Sequence, residues 1–241
     1  MSNGISEGYR ELTQEELDIF GETYEKAWKD EAMPERQYRR VVADELQRLR
    51  VGEEILPYKV ALDCLKGLPP MDNPTLLDVG ASSGYYSEVF RIGGFTCRYT
   101  GCDYSEHFQR IAQKLYPGIA FDVVDARKLP YPDNSYDIVL HGAAIMHIRE
   151  YACAIAEAAR VASKYVIFHR TSIEEQRGTV FYAKEAYSQP VLEIHFAPKE
   201  LFEIFDRVGL KVIREIDLFM TESGYGHRSY VLEKTLNWHP V

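Results

Sequence analysis

The chain has 241 residues, 46% of them hydrophobic, with 37 acidic against 28 basic side chains and a formal net charge of −9. That is enough apolar material for one large α/β domain with an appendage, and an acidic chain without a lysine- or arginine-rich run suits small molecules better than a nucleic-acid backbone. Cys64, Cys97, Cys102 and Cys153 form no C-x-x-C pair and have no histidines at ligand spacing, so neither a zinc site nor a disulfide framework is expected.

Residues 1–10 are polar and glycine-containing, unlike an apolar leader, and no stretch has the length to span a bilayer; a soluble, cytoplasmic protein with no membrane partner is expected. Thr13 and Glu16 stand at capping-box spacing, and Leu17, Phe20, Tyr24, Ala27 and Trp28 follow at helical spacing, which predicts an amphipathic helix over 13–30. Pro34 suits the first turn of a second helix to about residue 50, and 53–66 gives a third before Gly67-Leu68-Pro69-Pro70 breaks the pattern. Residues 1–70 are expected to cover the sheet edge or to close as a helical lid over ligands.

The next segment, Thr75-Leu76-Leu77-Asp78-Val79-Gly80-Ala81-Ser82-Ser83-Gly84-Tyr85-Tyr86-Ser87, reads as an apolar strand, a turn of small residues and the start of a helix. Gly80 and Gly84 supply positive φ and lack a Cβ, so an extended nucleotide-like cofactor can lie against bare backbone with helix N–H groups aimed at it. The spacing is not the G-x-G-x-x-G of a pyrophosphate site. Asp78, ending the strand, repels a pyrophosphate and accepts hydrogen bonds from an amino group, directly or through water, so the expected cofactor carries an ammonium.

Two more acids end strands: Tyr99-Thr100-Gly101-Cys102-Asp103-Tyr104-Ser105, roughly 20 residues on, the span of one crossover helix, and Phe121-Asp122-Val123-Val124-Asp125-Ala126. With Asp78-Val79-Gly80-Ala81-Ser82-Ser83-Gly84 they resemble the class I S-adenosylmethionine-dependent methyltransferases of the small-molecule kind. Ser82 stands where that family usually has the middle glycine of an acid-x-Gly-x-Gly-x-Gly turn. Its hydroxyl is expected to face the cofactor carboxylate, with a negative φ.

The resemblance implies S-adenosylmethionine as cofactor and S-adenosylhomocysteine as product. It implies that Asp103 takes the ribose hydroxyls and Tyr104 flanks the adenine. Asp125 and the Ala126 N–H would meet the adenine edge, Asp78, Gly80, Ala81, Ser82 and Gly84 would form the methionine-side turn, and His141 would stand at the strand end nearest the departing methyl.

Strands near 75–79, 97–103, 120–124, 136–141 and 164–169 alternate with helices near 84–93, 105–115 and 147–162. After a helix from Pro198 to Val208, strands at 211–218 and 229–234 form a last pair. The expected fold is α/β, a Rossmann-like doubly wound seven-stranded sheet, mostly parallel with a C-terminal antiparallel hairpin, plus N-terminal helices. The cofactor-binding domain is placed at 71–241, with an irregular, aromatic-containing insertion at 171–197 on the substrate side.

Methyl transfer needs alignment first and a base second. Histidine suits that base near neutral pH, and His141, His147, His169 and His195 are the candidates. His141 is preferred for its place at the fourth strand's end and His195 comes next, while His147 reads more readily as a cap. The segment Leu140-His141-Gly142-Ala143-Ala144-Ile145 lacks the Asn-Pro-Pro-Tyr type of sequence that cradles a planar nitrogen. No acidic cluster for a metal is evident there, so no metal is expected. Expected is a methyltransferase acting on a small-molecule acceptor. A non-catalytic cofactor-binding homologue and a nucleotide-cofactor oxidoreductase on a related fold are the alternatives, and the oligomeric state is not legible.

Overall fold

The computed structural model describes residues 8–235. A seven-stranded sheet forms its centre, built from β2 (Thr75–Val79), β3 (Arg98–Asp103), β4 (Ala120–Val123), β5 (Tyr136–Gly142), β6 (Ala162–Glu174), β9 (Leu210–Met220) and β10 (Tyr225–Lys234). The spatial order is β4-β3-β2-β5-β6-β10-β9. The first five neighbours pair in parallel and β10 runs antiparallel to both β6 and β9, so the sheet has the class expected from the sequence.

Helices α5 (Tyr85–Ile92), α6 (Glu106–Leu115), α7 (Tyr151–Val161) and α8 (Pro198–Arg207) make the crossovers. Because both faces are covered, the central strands read as unbroken apolar runs. Leu77, Val79, Val139 and Phe168 face Ala154 and Ala158 of α7 and Phe205 of α8. Leu76, Ile138, Leu140 and Ile167 face Val89 and Phe90 of α5 together with Val60 and Leu65 of α4 (Leu56–Lys66).

Ahead of the sheet, α1 (Gln14–Lys26) opens on Thr13 with both bonds of the capping box formed. Then α2 (Met33–Arg40) starts with Pro34 in its first turn, passes through a wider helical turn at Val41–Glu45, and continues as α3 (Leu46–Arg50).

The segment 171–197 departs from its expected irregularity. β6 runs on to Glu174, and β7 (Val180–Ala186) and β8 (Gln189–His195) form a hairpin that pairs with a short β1 (Tyr9–Glu11) in a second, three-stranded sheet. The hairpin turns on Tyr187 and Ser188 with φ of +50° and +61°. Two successive positive φ values match the twist of paired strands, but glycine and asparagine usually supply them, which hid this turn from a reading based on turn residues.

Candidate active site

A cavity of about 650 Å3 lies over the carboxyl ends of the parallel strands, roofed by the N-terminal helices and walled by the hairpin. Ligands of open α/β sheets occupy this position.

At one end lie Gly80, Ser82, Asp103, Tyr104, Asp125 and Ala126. Gly80 has φ +74°, and a Cβ there would sit 2.5 Å from Ala144 Cβ. Ser82 has φ +48° rather than the expected negative value. The reason is local: its N–H must reach Asp103 Oδ2 at 2.9 Å, across the crossover. The other oxygen of Asp103 accepts from Ser105 N–H at 2.9 Å. Burial outweighs these bonds and pushes the Asp103 carboxyl up to about 6. Asp125 is gripped by Arg127, which also reaches Glu150 at 2.6 Å.

Four expected cofactor contacts do not line the cavity. The Gly80 and Ala81 N–H groups are spent on the Cys102 carbonyl at 2.8 and 2.9 Å, and Ala81 is buried. Gly84 caps α5 in the left-handed region, and a Cβ on it would strike the Phe121 ring. Asp78 is buried beneath the turn, with Tyr99 donating to its Oδ2 and no partner on Oδ1. Burial raises its carboxyl to about 7.

The fourth is His141, and it is also set aside as catalyst. Strand parity decides the matter: alternate residues face opposite sides, so His141 shares the Val139 face. It packs against Phe168 with ring centroids 5.1 Å apart, fully buried and with neither ring nitrogen bonded. Burial lowers its imidazole to about 3.

His195 is likewise shut in, stacked on Tyr225 at 4.7 Å between Tyr9 and Tyr182. His169 is buried with Nδ1 on Ser229 Oγ at 2.9 Å. His147 is the candidate that faces the cavity. Its Nδ1 lies 2.6 Å from the Leu192 carbonyl. A carbonyl only accepts, so Nδ1 carries the proton and Nε2 of the neutral ring is a free acceptor. Burial lowers its imidazole, against the opposing pull of Glu193. Trp28 packs on it at 4.8 Å.

At the opposite end the sequence points only to the insertion at 171–197, as the substrate side, and not to the polar side chains gathered there. That end brings together Tyr58, Tyr85, Arg170, Tyr187, Glu193 and His227. Glu193 is buried yet held well below the usual carboxylate range, although burial alone would raise it, because His195, Lys184 and His147 face it. It accepts from Lys184 at 2.7 Å, from Tyr9 and from Ser172. Arg170 directly follows the apolar run ending at His169, but nothing in that run tells that its side chain enters the cavity. The others come from α4 (Tyr58), the start of α5 (Tyr85), the hairpin (Tyr187 and Glu193) and β10 (His227), whose meeting no local pattern encodes.

The roof is clipped down from both sides. Tyr104 Oη donates to the Glu25 carbonyl, and Lys29 sits 4.7 Å from the Tyr104 ring. Arg149 N–H bonds Glu25 at 2.8 Å, and Arg36 donates to the Tyr187 carbonyl at 2.9 Å.

This sheet order, with a cavity at the strand ends, is the fold of the methyltransferase structures on which the chain superposes. Residues 77–168 match the family model described as a methyltransferase domain. The chain is 29% identical over 113 residues to a demethylmenaquinone methyltransferase of Renibacterium salmoninarum, a match covering 47% of this chain and 46% of that protein. It is 25% identical over 171 residues to the ubiquinone/menaquinone biosynthesis C-methyltransferase UbiE of Rickettsia akari, covering 65% and 66%. It thus spans about half the length of the first of these relatives.

In fold it is similar to the 1,6-didemethyltoxoflavin-N1-methyltransferase of Burkholderia thailandensis, solved with S-adenosylhomocysteine and 1,6-didemethyltoxoflavin. The TM-score is 0.55 at 18% identity, over 85% of this chain and 88% of that one. The [4+2]-cyclase SpnF superposes with a TM-score of 0.57 at 17% identity, over 75% and 82%. Among the described residues no helix is long and apolar enough to cross a membrane.

Proposed function

We propose that the protein transfers the methyl group of S-adenosylmethionine to a small-molecule acceptor held at the Arg170 end of the cavity. The observation that carries this reading is the single cavity of about 650 Å3 running from Asp103 and Asp125 to Tyr187 and His227. That is within the range of sites that enclose small ligands, with room for a nucleoside cofactor and a modest partner.

The residues present fit the cofactor. Asp103 offers acceptor capacity beyond its two backbone bonds, Tyr104 and Asp125 would border the adenine, and Gly80 presents bare backbone at the cavity edge. S-adenosylmethionine supplies an electrophilic methyl on a sulfonium. The protein's part is to align an acceptor atom, exclude water under α1 and α2, and accept a proton. His147 Nε2 is the acceptor for that proton, its tautomer fixed by Leu192. The likeness to quinone-precursor methyltransferases supports cofactor and reaction class; the acceptor is inferred from the cavity instead.

Calorimetric titration with S-adenosylmethionine and S-adenosylhomocysteine, with a nicotinamide dinucleotide as control, tests the first half. Micromolar binding of the first two alone is expected. Radiolabelled methyl transfer to a panel of small acceptors tests the second. Absence of cofactor binding by folded, ligand-free protein would sink the reading, and binding without any transfer would favour a non-catalytic homologue.

A further inference from the structure

The geometry points to a carboxylate-bearing methyl acceptor, a small organic acid, with Arg170 as the residue that receives its anionic group; this rests on the proposed methyl transfer. Arg170 lies in a β-bulge. β6 pairs with β10 through Phe168 with Tyr230 and then Thr171 with Arg228, so His169 and Arg170 together oppose Ser229 alone. The extra residue takes φ +56°, a region arginine rarely visits. Bulges of this kind re-aim a side chain next to a site, and this one directs Arg170 into the cavity wall.

The distortion is held from several sides. Ser229 Oγ accepts the Arg170 N–H at 3.3 Å and bonds His169 Nδ1 at 2.9 Å, Ala143 N–H donates to the His169 carbonyl at 2.9 Å, and His227 Nδ1 donates to the Arg170 carbonyl at 3.4 Å. A left-handed arginine so thoroughly braced serves its side chain, since the backbone alone gains nothing from it.

Among the described residues that side chain has no counter-ion: no hydrogen bond or ion pair reaches the guanidinium, while other arginines lining the cavity, Arg40, Arg127 and Arg149, each have a carboxylate. The charged and polar groups facing it include Tyr85, Tyr86, Glu45 and Tyr187, with Tyr58, His147, His169, Tyr225 and His227 also near it. Glu45 is already taken by Tyr58 at 2.7 Å and Arg40 at 3.7 Å. Glu193, in the same wall, is taken by Lys184.

Arg40 is thus matched by Glu45 and Lys184 by Glu193, while Arg170 has no carboxylate within ion-pair distance among the described residues. Arg170 is half-buried in the cavity wall, where its five-donor guanidinium remains open to a ligand, and a planar carboxylate matches its fork. The flanking Tyr85, Tyr187 and Trp28 rings suit an aromatic or unsaturated body.

The test uses the full chain loaded with S-adenosylhomocysteine and a matched pair of probes, 4-hydroxybenzoate and 4-hydroxybenzamide, read by calorimetry or saturation-transfer NMR. The wild type should prefer the carboxylate at least tenfold. Arg170→Met should erase the preference and Arg170→Lys should retain part of it. Both variants should bind S-adenosylhomocysteine within twofold of the wild type and melt cooperatively.

No charge preference in the wild type would overturn the inference, and so would a preference that survives Arg170→Met. A tenfold loss of S-adenosylhomocysteine affinity in Arg170→Met would also overturn it, assigning the guanidinium to the cofactor's own carboxylate. Failure of the wild type to bind S-adenosylhomocysteine at all would instead sink the methyltransferase reading itself.

Discussion

At one end of the cavity Asp103 is met by two backbone N–H groups and Asp125 by Arg127, while at the other Arg170 meets no counter-ion among the described residues. The first end comes from three consecutive strand-turn-helix units, each carrying its own polar group. The second is assembled from segments far apart in the chain: Tyr58 before the sheet, Arg170 in a bulge, Tyr187 at a hairpin tip and His227 on the last strand. A shared cofactor can be held by a preformed local geometry. A particular acceptor has to be met by side chains gathered from elsewhere, with a group left open for it.

The rigidity of the first end is the claim most easily broken. Gly80→Val places a β-branched side chain at φ +74° and drives its Cβ to 2.5 Å from Ala144 Cβ. Left-handed strain and overpacking together should cost about 3 kcal/mol or more in stability, measured by urea unfolding, and S-adenosylhomocysteine binding should vanish. Wild-type stability would mean the turn yields and is not a fixed feature.

Asp78 gives an effect with a definite sign in pH. Its folded carboxyl, at about 7, lies above the ordinary 3.8, so between these values the folded protein keeps a proton that the unfolded chain releases. Its contribution to stability therefore falls as pH rises from about 4 to 7. Asp78→Asn removes that loss, and its advantage over the wild type in apo protein should widen across the window by at most about 1.4 kcal/mol per pH unit. Urea midpoints at four pH values between 4.5 and 7.5 check this, and a constant gap would show that Asp78 ionises freely.

Asp103→Ala removes the acceptor shared by Ser82 and Ser105 and leaves both N–H groups unanswered. S-adenosylhomocysteine affinity should weaken by about 1–3 kcal/mol, with Asp103→Asn falling between. An unchanged dissociation constant would remove the ribose role from this residue.

The contrast between the two ends also governs what the sequence could reveal. The strand order, the crossover helices, the Thr13 cap and the acids at 103 and 125 follow from periodicity and from turns that small residues announce, all within a few positions of one another. His141 misled because a residue at a strand's end can face the cavity or the helix layer, and only the register with β6 tells which. The hairpin at 180–195 has no such signal: Phe181, Ala183 and Leu192 stand beside Val180, Tyr182 and Val191 where a half-buried strand would alternate with polar residues, and Tyr187-Ser188 does not look like a tight turn. Arg170 needed the bulge, which exists only in the pairing of β6 with β10.

The smallest effect concerns His141, and its direction runs opposite to that of Asp78. The folded imidazole, at about 3, lies below the ordinary 6.5, so below pH 6.5 the unfolded chain binds a proton that the folded protein refuses, and the wild type loses stability as pH falls. His141→Leu fills nearly the same space beside Phe168, leaves no ring nitrogen unbonded and removes that penalty. At pH 7 stability should change by less than about 1.5 kcal/mol and S-adenosylhomocysteine affinity should stay within twofold. As pH drops from 6.5 toward 5, the variant should become progressively more stable than the wild type in urea. Weakened cofactor binding at pH 7 would return His141 to the cavity and undo the parity assignment of β5. If the pH trend appears without it, the base must be sought among groups that face the acceptor, where His147 already stands with Nε2 free.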